Sequence, residues 1–187
     1  MRRRKGPFRR PTGQGQPSQL GARARVLLRR AHHMMENGQH AKAAHIFQQL
    51  AEGARDLGSL KIAPNLYLQA ARANLLSDNL EVALVCIFDG LGIIAKAQKW
   101  PVLARIGRGT VSEVNNLGFP EISNQVAVWL KEKLPEPMDS YPERRRPPKS
   151  LPLKCPNCGG ALRPGEVEIL DARTGECPYC GSAVRTE

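Results

Sequence analysis

Apolar and polar positions divide this chain into a long periodic middle and two aperiodic flanks. From about residue 20 to residue 134, apolar side chains recur every three or four positions, the spacing of a helix with one buried face. Leu20, Ala24, Leu27, Leu28, Ala31, Met34 and Met35 share one such face. It stops at Asn37-Gly38, where glycine can take the left-handed conformation that closes a helix. Ala44, Phe47, Leu50, Ala51, Ala54 and Leu57 form a second face ending at Gly58. Pro64 suits the first turn of a third helix running to about Leu76, with Leu68, Ala71 and Leu75 on one side. Ser77 or Asp78 predicts the cap of a fourth, with Glu81 placed to complete a capping box. Pro101 opens a fifth that ends near Gly118, and Pro120 a sixth that stops at Pro135.

The six predicted helices fall into pairs. Gly38, Asp78 and Gly118 stand at the turn inside each pair, forty residues apart both times, and helix positions recur as Ala43/Ala83/Ser123, Cys86/Val126 and Ile87/Ala127. A period of this length marks a helical-hairpin repeat. The segment from Glu36 to Phe47, with its glycine turn, small residues in the following helix and a final aromatic, resembles the middle of a tetratricopeptide repeat. It departs from that family in two respects. No first helix carries the Trp-x-x-Leu-Gly-x-x-Tyr phrase, and the period is several residues longer than usual. The resemblance implies three hairpins stacked into a short right-handed solenoid whose first helices line a concave face. Such faces hold a peptide or helix from another protein. The competing arrangement is a compact six-helix bundle whose groove is filled by its own chain.

The flanks are built differently. Residues 1–19 are mostly Arg, Gly, Pro, Gln and Ser with one aromatic, Phe8, and bury too little apolar surface to offset chain entropy. They read as a disordered basic tail. Between Leu134 and Pro152 six prolines interrupt a charged stretch containing Arg144, Arg145, Arg146 and Lys149, which predicts a stiff linker over 135–150.

Beyond the linker, Cys155-Pro156-Asn157-Cys158-Gly159 and Cys177-Pro178-Tyr179-Cys180-Gly181 each place two thiols two residues apart. The prolines fix φ at the start of each turn and the glycines accept a left-handed φ at its end. The gap between the pairs, eighteen residues from 159 to 176, lies in the range of structural four-thiolate zinc sites. Residues 151–187 resemble the zinc-ribbon family, in which two such knuckles clamp one Zn²⁺. The resemblance implies Cys155, Cys158, Cys177 and Cys180 as ligands. It also implies a small β-unit with strands near Leu151–Lys154, Ala161–Arg163, Val167–Leu170 and Ser182–Arg185. A rubredoxin-like iron site uses the same knuckles but usually an aromatic core, and Tyr179 is the only aromatic after Tyr141. Disulfides are disfavoured because Met1-Arg2-Arg3-Arg4-Lys5 leads into no apolar run of a secretory signal. A catalytic zinc is disfavoured because no histidine follows His45.

Charge changes the picture in one place. The formal net charge is +11, yet residues 1–30 hold ten Lys or Arg and no acid, leaving eighteen basic against seventeen acidic residues from 31 onward. Arg2, Arg3, Arg4, Lys5, Arg9 and Arg10 in the tail, with Arg144, Arg145 and Arg146 in the linker, are candidate polyanion contacts. A tail that only aids solubility fits them equally well, whereas its Pro and Gly content speaks against a transit peptide. No apolar stretch approaches the length of a membrane span.

Catalytic patterns are missing. Gly90-Leu91-Gly92 and Gly107-Arg108-Gly109-Thr110 lack the context of a phosphate loop and fit close helix contacts or a local helix break. His32, His33, His40 and His45 lack the spacing of a helical chelate, and Cys86 lies in an apolar run that predicts burial. The reading is a mainly α protein of three tetratricopeptide-like hairpins with a small C-terminal zinc ribbon. As to function, it is a cytoplasmic, non-catalytic adaptor with a protein partner, one structural Zn²⁺ and no small-molecule substrate. The alternatives are a nucleic-acid- or ribosome-associated factor that uses the basic tail and linker arginines, and an iron electron carrier.

Overall fold

The computed structural model describes residues 21–141, 151–163, 166–171 and 173–185. Among the described residues, six helices come first: α1 (Ala22–Glu36), α2 (His40–Asp56), α3 (Ala63–Leu75), α4 (Leu80–Lys96), α5 (Trp100–Asn116) and α6 (Pro120–Lys133). A single 3₁₀ turn over Met138–Ser140 and three short strands follow: β1 (Glu168–Asp171), β2 (Thr174–Glu176) and β3 (Ala183–Arg185). The chain is therefore mainly helical with a small antiparallel sheet of order β1-β2-β3 on its C-terminal side. The basic positions between Arg2 and Arg10, and Arg144 to Arg146, lie outside the described residues.

One turn type sets the spacing of the helices. Gly38, Gly58, Asp78, Gln98 and Gly118, twenty residues apart each time, all have positive φ, between 53° and 91°. At each, the turn residue's N–H donates to the carbonyl three residues back and the next N–H to the carbonyl five back. Gly38→Met35 with Gln39→Met34, and Gly118→Asn115 with Phe119→Val114, are two examples. This is the glycine-type helix stop in which orphan carbonyls find partners. Asp78 and Gln98 occupy the same left-handed position without being glycine, which costs roughly 1 kcal/mol each.

The expected capping box of the fourth helix does not form. Asp78 is used to close α3, the N-cap falls on Asn79, and no side chain caps it. Glu81 instead supplies a negative charge in the first turn, where the helix macrodipole favours one.

Small residues let the helices approach. Ala43, Ala83 and Ser123, equivalent by the forty-residue spacing, are all buried, as are Cys86 and Val126. A Cβ on Gly90 would stand 2.9 Å from the Pro64 carbonyl oxygen, and one on Gly107 would stand 2.6 Å from Leu130. Both glycines are close helix contacts and neither breaks its helix, whereas Gly92 and Gly109 face open space. α3 packs closely on both α2 and α4, while α5 packs mainly on α6.

Two further expectations change. The start of the expected 135–150 linker is not free-standing: Arg108 donates to the carbonyls of Met138 (2.7 Å) and Tyr141 (3.2 Å), tying that stretch to α5. In the C-terminal module, the two strands expected around Lys154 and Ala161 amount to one isolated bridge between those residues, and Thr174–Glu176 forms an unexpected central strand. Its polar, glycine-containing sequence has no strand signature. Gly175 is buried, and a Cβ there would come within 2.6 Å of Val167, so the bare backbone is what fits.

Candidate metal centre

Cys155 and Cys158 sit on one tight turn, and Cys177 and Cys180 on its counterpart between β2 and β3. The turns are built alike. Cys155 N–H donates to Gly160 (2.8 Å) and Gly159 N–H to Cys155 (2.8 Å); Cys177 N–H donates to Ser182 (2.9 Å) and Gly181 N–H to Cys177 (3.0 Å). Gly159 and Gly181, with φ of 76° and 70°, make the return possible. The isolated bridge carries the first turn and the β2-β3 ladder the second, so the backbone aims all four thiols at one point.

The four sulfurs are buried and lie within 4.8 Å of one another, with Cys155–Cys180 at 3.8 Å and Cys158–Cys177 at 3.7 Å. A tetrahedron of sulfurs around a metal at about 2.3 Å has edges of about 3.8 Å. The donor set therefore fits a four-coordinate, thiolate-bound ion with no open position. All four cysteines are free thiols.

Their protonation is mutually dependent. Hydrogen bonds from Cys158, then Cys177, pull Cys155 down to about 6, and those from Cys155 and then Cys158 pull Cys180 well below the thiol range. Donating to Cys155 pushes Cys158 and Cys177 far up. A divalent cation lets all four ionise.

No other His, Cys, Asp or Glu cluster of metal-binding geometry occurs among the described residues. The four histidines are not brought together: His33 pairs with Asn37 just past the end of α1, and His45 with Gln49 within α2. Cys86 is buried, and burial raises its thiol to about 11, as suits a packed apolar residue.

The module is seated on the helices. α1, α3 and α5, the first helix of each pair, all contribute. From α1, Arg29 donates to the Asn157 carbonyl at 2.8 Å and Glu36 pairs with Lys154. At the start of α3, Lys61 bridges Glu168 (3.3 Å) and Glu176 (3.2 Å); Asn65 donates to the Pro178 carbonyl and Gln69 to the Tyr179 hydroxyl, both at 3.2 Å. From α5, Glu113 accepts two hydrogen bonds from Arg163 (2.9 and 3.0 Å) and also meets Arg72 at 3.2 Å. Burial, then Glu166, pushes the Glu113 carboxyl up to about 7, while the two guanidiniums within 3.2 Å of it favour its charged form.

Tyr179, lying between the second pair of ligands, anchors the contact. Its hydroxyl donates to Glu166 at 2.7 Å, its ring lies 5.4 Å from that of His32, and His32 in turn meets Phe47 edge-on at 5.2 Å. His32 Nε2 is buried without a partner, and burial lowers the ring to about 4, keeping it neutral. Gly160 closes the wedge, since a Cβ there would meet Tyr179 at 2.6 Å and His32 at 2.8 Å.

Sequence reasoning missed His32, Gln69 and Glu113 as docking residues. Tyr179, the one aromatic of the module, was the signal available. What the module leaves open is a groove of about 670 Å³ between α3, α5 and its own edge. Leu68, Ile94, Val102, Ile106 and Leu117 supply the apolar surface, and Arg72, Glu113 and Arg163 the polar end.

No protein-family model, curated protein or solved structure matches this chain. The fold and the site define a mainly helical protein with a C-terminal four-cysteine cluster suited to a structural metal ion. No helix among the described residues is long and apolar enough to cross a membrane.

Proposed function

We propose that this protein is a non-catalytic, cytoplasmic interaction adaptor: three tetratricopeptide-like hairpins carrying a zinc ribbon, with one structural Zn²⁺ held by Cys155, Cys158, Cys177 and Cys180. A closed, buried set of four thiolates supports a structural role, and soft thiolate ligands at tetrahedral spacing suit zinc. The forty-residue recurrence of turns and of buried small residues supports the repeat.

The observation that carries the adaptor role is the groove. The ribbon occupies much of the face formed by α1, α3 and α5, so the concave surface is partly filled by the chain itself. The remaining groove has an apolar floor at Val102, Ile106 and Leu68 and borders both the helices and the ribbon. Its size and lining suit a peptide or helix from another protein, bound against both elements at once.

Affinity purification with the full chain at moderate salt, with and without nuclease, tests this. A partner that resists salt and nuclease, and is lost with Val102→Asp and Ile106→Asp, is expected. Retention of every partner by a correctly folded groove variant would refute the role.

A further inference from the structure

The outer half of α1 is a cationic surface of which the fold uses one residue, Arg29, and the groove none. Arg23, Arg29 and Arg30 are exposed and Arg25 is half-buried, while Ala31, Leu28 and His32 occupy the inner half. At a hundred degrees per residue, Arg25, Arg29, Arg30 and Arg23 fan across the solvent side with exposed Val26 among them. None of the four pairs with an acid among the described residues. Only Arg29 has a structural task, its bond to Asn157.

Stability does not explain this arrangement. Arg23 and Arg25 lie near the N-terminal end of α1, where the macrodipole disfavours cations, and no acid stands in that first turn. Like charges on one helix side add repulsion. A local rule broken without structural compensation points to a ligand.

The ribbon extends the same surface. Arg25, Val26 and Arg29 face Asn157, Ser182 and Ala183 across a shallow, acid-free cleft. Arg185 lies two residues beyond Ala183 on β3, on the same exposed side of the strand. The tail residues Arg2 to Arg10 join the chain directly ahead of this helix. Cations thus accumulate on one side of one helix, in a protein almost charge-balanced elsewhere.

We propose that this α1 face and the adjoining β3 edge bind the phosphodiester backbone of a double-stranded nucleic acid. α1 carries no Phe, Tyr or Trp, so the surface offers arginine forks for phosphates and, beyond the small exposed ring of His33, no platform for stacked single-stranded bases. A rigid fan of guanidiniums on one side of a helix fits the regular phosphates of a duplex, and such contacts do not read sequence. The inference stands apart from the groove: a groove variant leaves it intact.

The test titrates the full chain with a short RNA duplex, a DNA duplex, a single strand, anionic phospholipid vesicles and polyglutamate over a range of salt. Duplex binding tighter than single-strand, vesicle or polyglutamate binding is expected, with the RNA and DNA arms identifying the natural source. In the variant Arg23→Ala, Arg25→Ala, Arg30→Ala, affinity at low salt should fall about a hundredfold. The log–log salt slope should flatten by between about two and three, near 0.9 per lost phosphate contact. Deleting residues 1–19 should weaken binding while leaving the α1 contribution measurable. The assignment is overturned if the triple variant, with unchanged circular dichroism, binds as the parent does. Loss of all binding with the tail alone would overturn it too, as would tighter binding of vesicles or polyglutamate than of either duplex.

Discussion

The helices and the C-terminal module acquire their interiors by opposite means. Among the helices, Leu28, Phe47, Leu66, Ile87, Leu91, Leu103 and Leu130 are wholly buried against one another, and α1 to α5 are all closed by the same turn. Among the described residues, the module has three strands of three or four residues, and its buried large apolar side chains around the four cysteines are Leu162, Val167, Tyr179 and Val184. So small a unit cannot stand on apolar burial alone. Two further supports are open to it, a metal ion for which its four cysteines are placed and the α1-α3-α5 face beneath it. A polar module can therefore sit in a helical groove without a large apolar contact, because hydrogen bonds from Arg29, Asn65 and Gln69 meet its backbone and its one tyrosine.

The sharpest break in the comparison is removal of the metal. Chelation, or Cys158→Ser, should abolish the strands while the helices survive, because the metal contributes on the order of 10 kcal/mol to such a module. Hydrogen exchange should show β1 to β3 losing protection while α2, α3 and α4 keep theirs. A global collapse would show that the helices depend on the module.

Phe47→Ala strikes the helical side. A wholly buried aromatic that also backs His32 should cost about 3–5 kcal/mol in urea unfolding, with metal content unchanged. The effect of pH comes next. His32 titrates near 4 when folded against 6.5 in the open chain, so folding favours the neutral ring. Its contribution is complete above about pH 6.5 and is lost as pH falls toward 4, by about 3 kcal/mol at most. His32→Leu should flatten the stability profile across that window, and an unchanged slope would deny the burial of the ring. The smallest effect belongs to the Glu113–Arg163 clasp. Both side chains are about one-third exposed, so a double-mutant cycle should yield about 1 kcal/mol or less.

Much of this was legible in the sequence because it rests on local rules. Helix boundaries followed from Gly38, Gly58, Pro64, Gly118 and Pro120, and the thiol cluster from the repeated Cys-Pro-x-Cys-Gly phrase. The misses came where local rules ran out. Asp78 reads equally as a cap or a turn residue, and only packing decided that it closes α3. Thr174–Glu176 becomes a strand through its neighbours. The seat of the module was hidden because docking depends on His32, Gln69 and Glu113 coming from three separate helices to meet Tyr179 and Arg163, a coincidence no spacing records.

The central claim is that four thiolates hold a single metal ion on which the module's fold depends. Mass measurement of the intact chain under native conditions tests it directly. The account predicts one zinc per chain, lost together with the β-strands when Cys158 is replaced by serine. A metal-free chain whose four cysteines are paired as disulfides would contradict it, and bound iron would contradict the assignment of zinc.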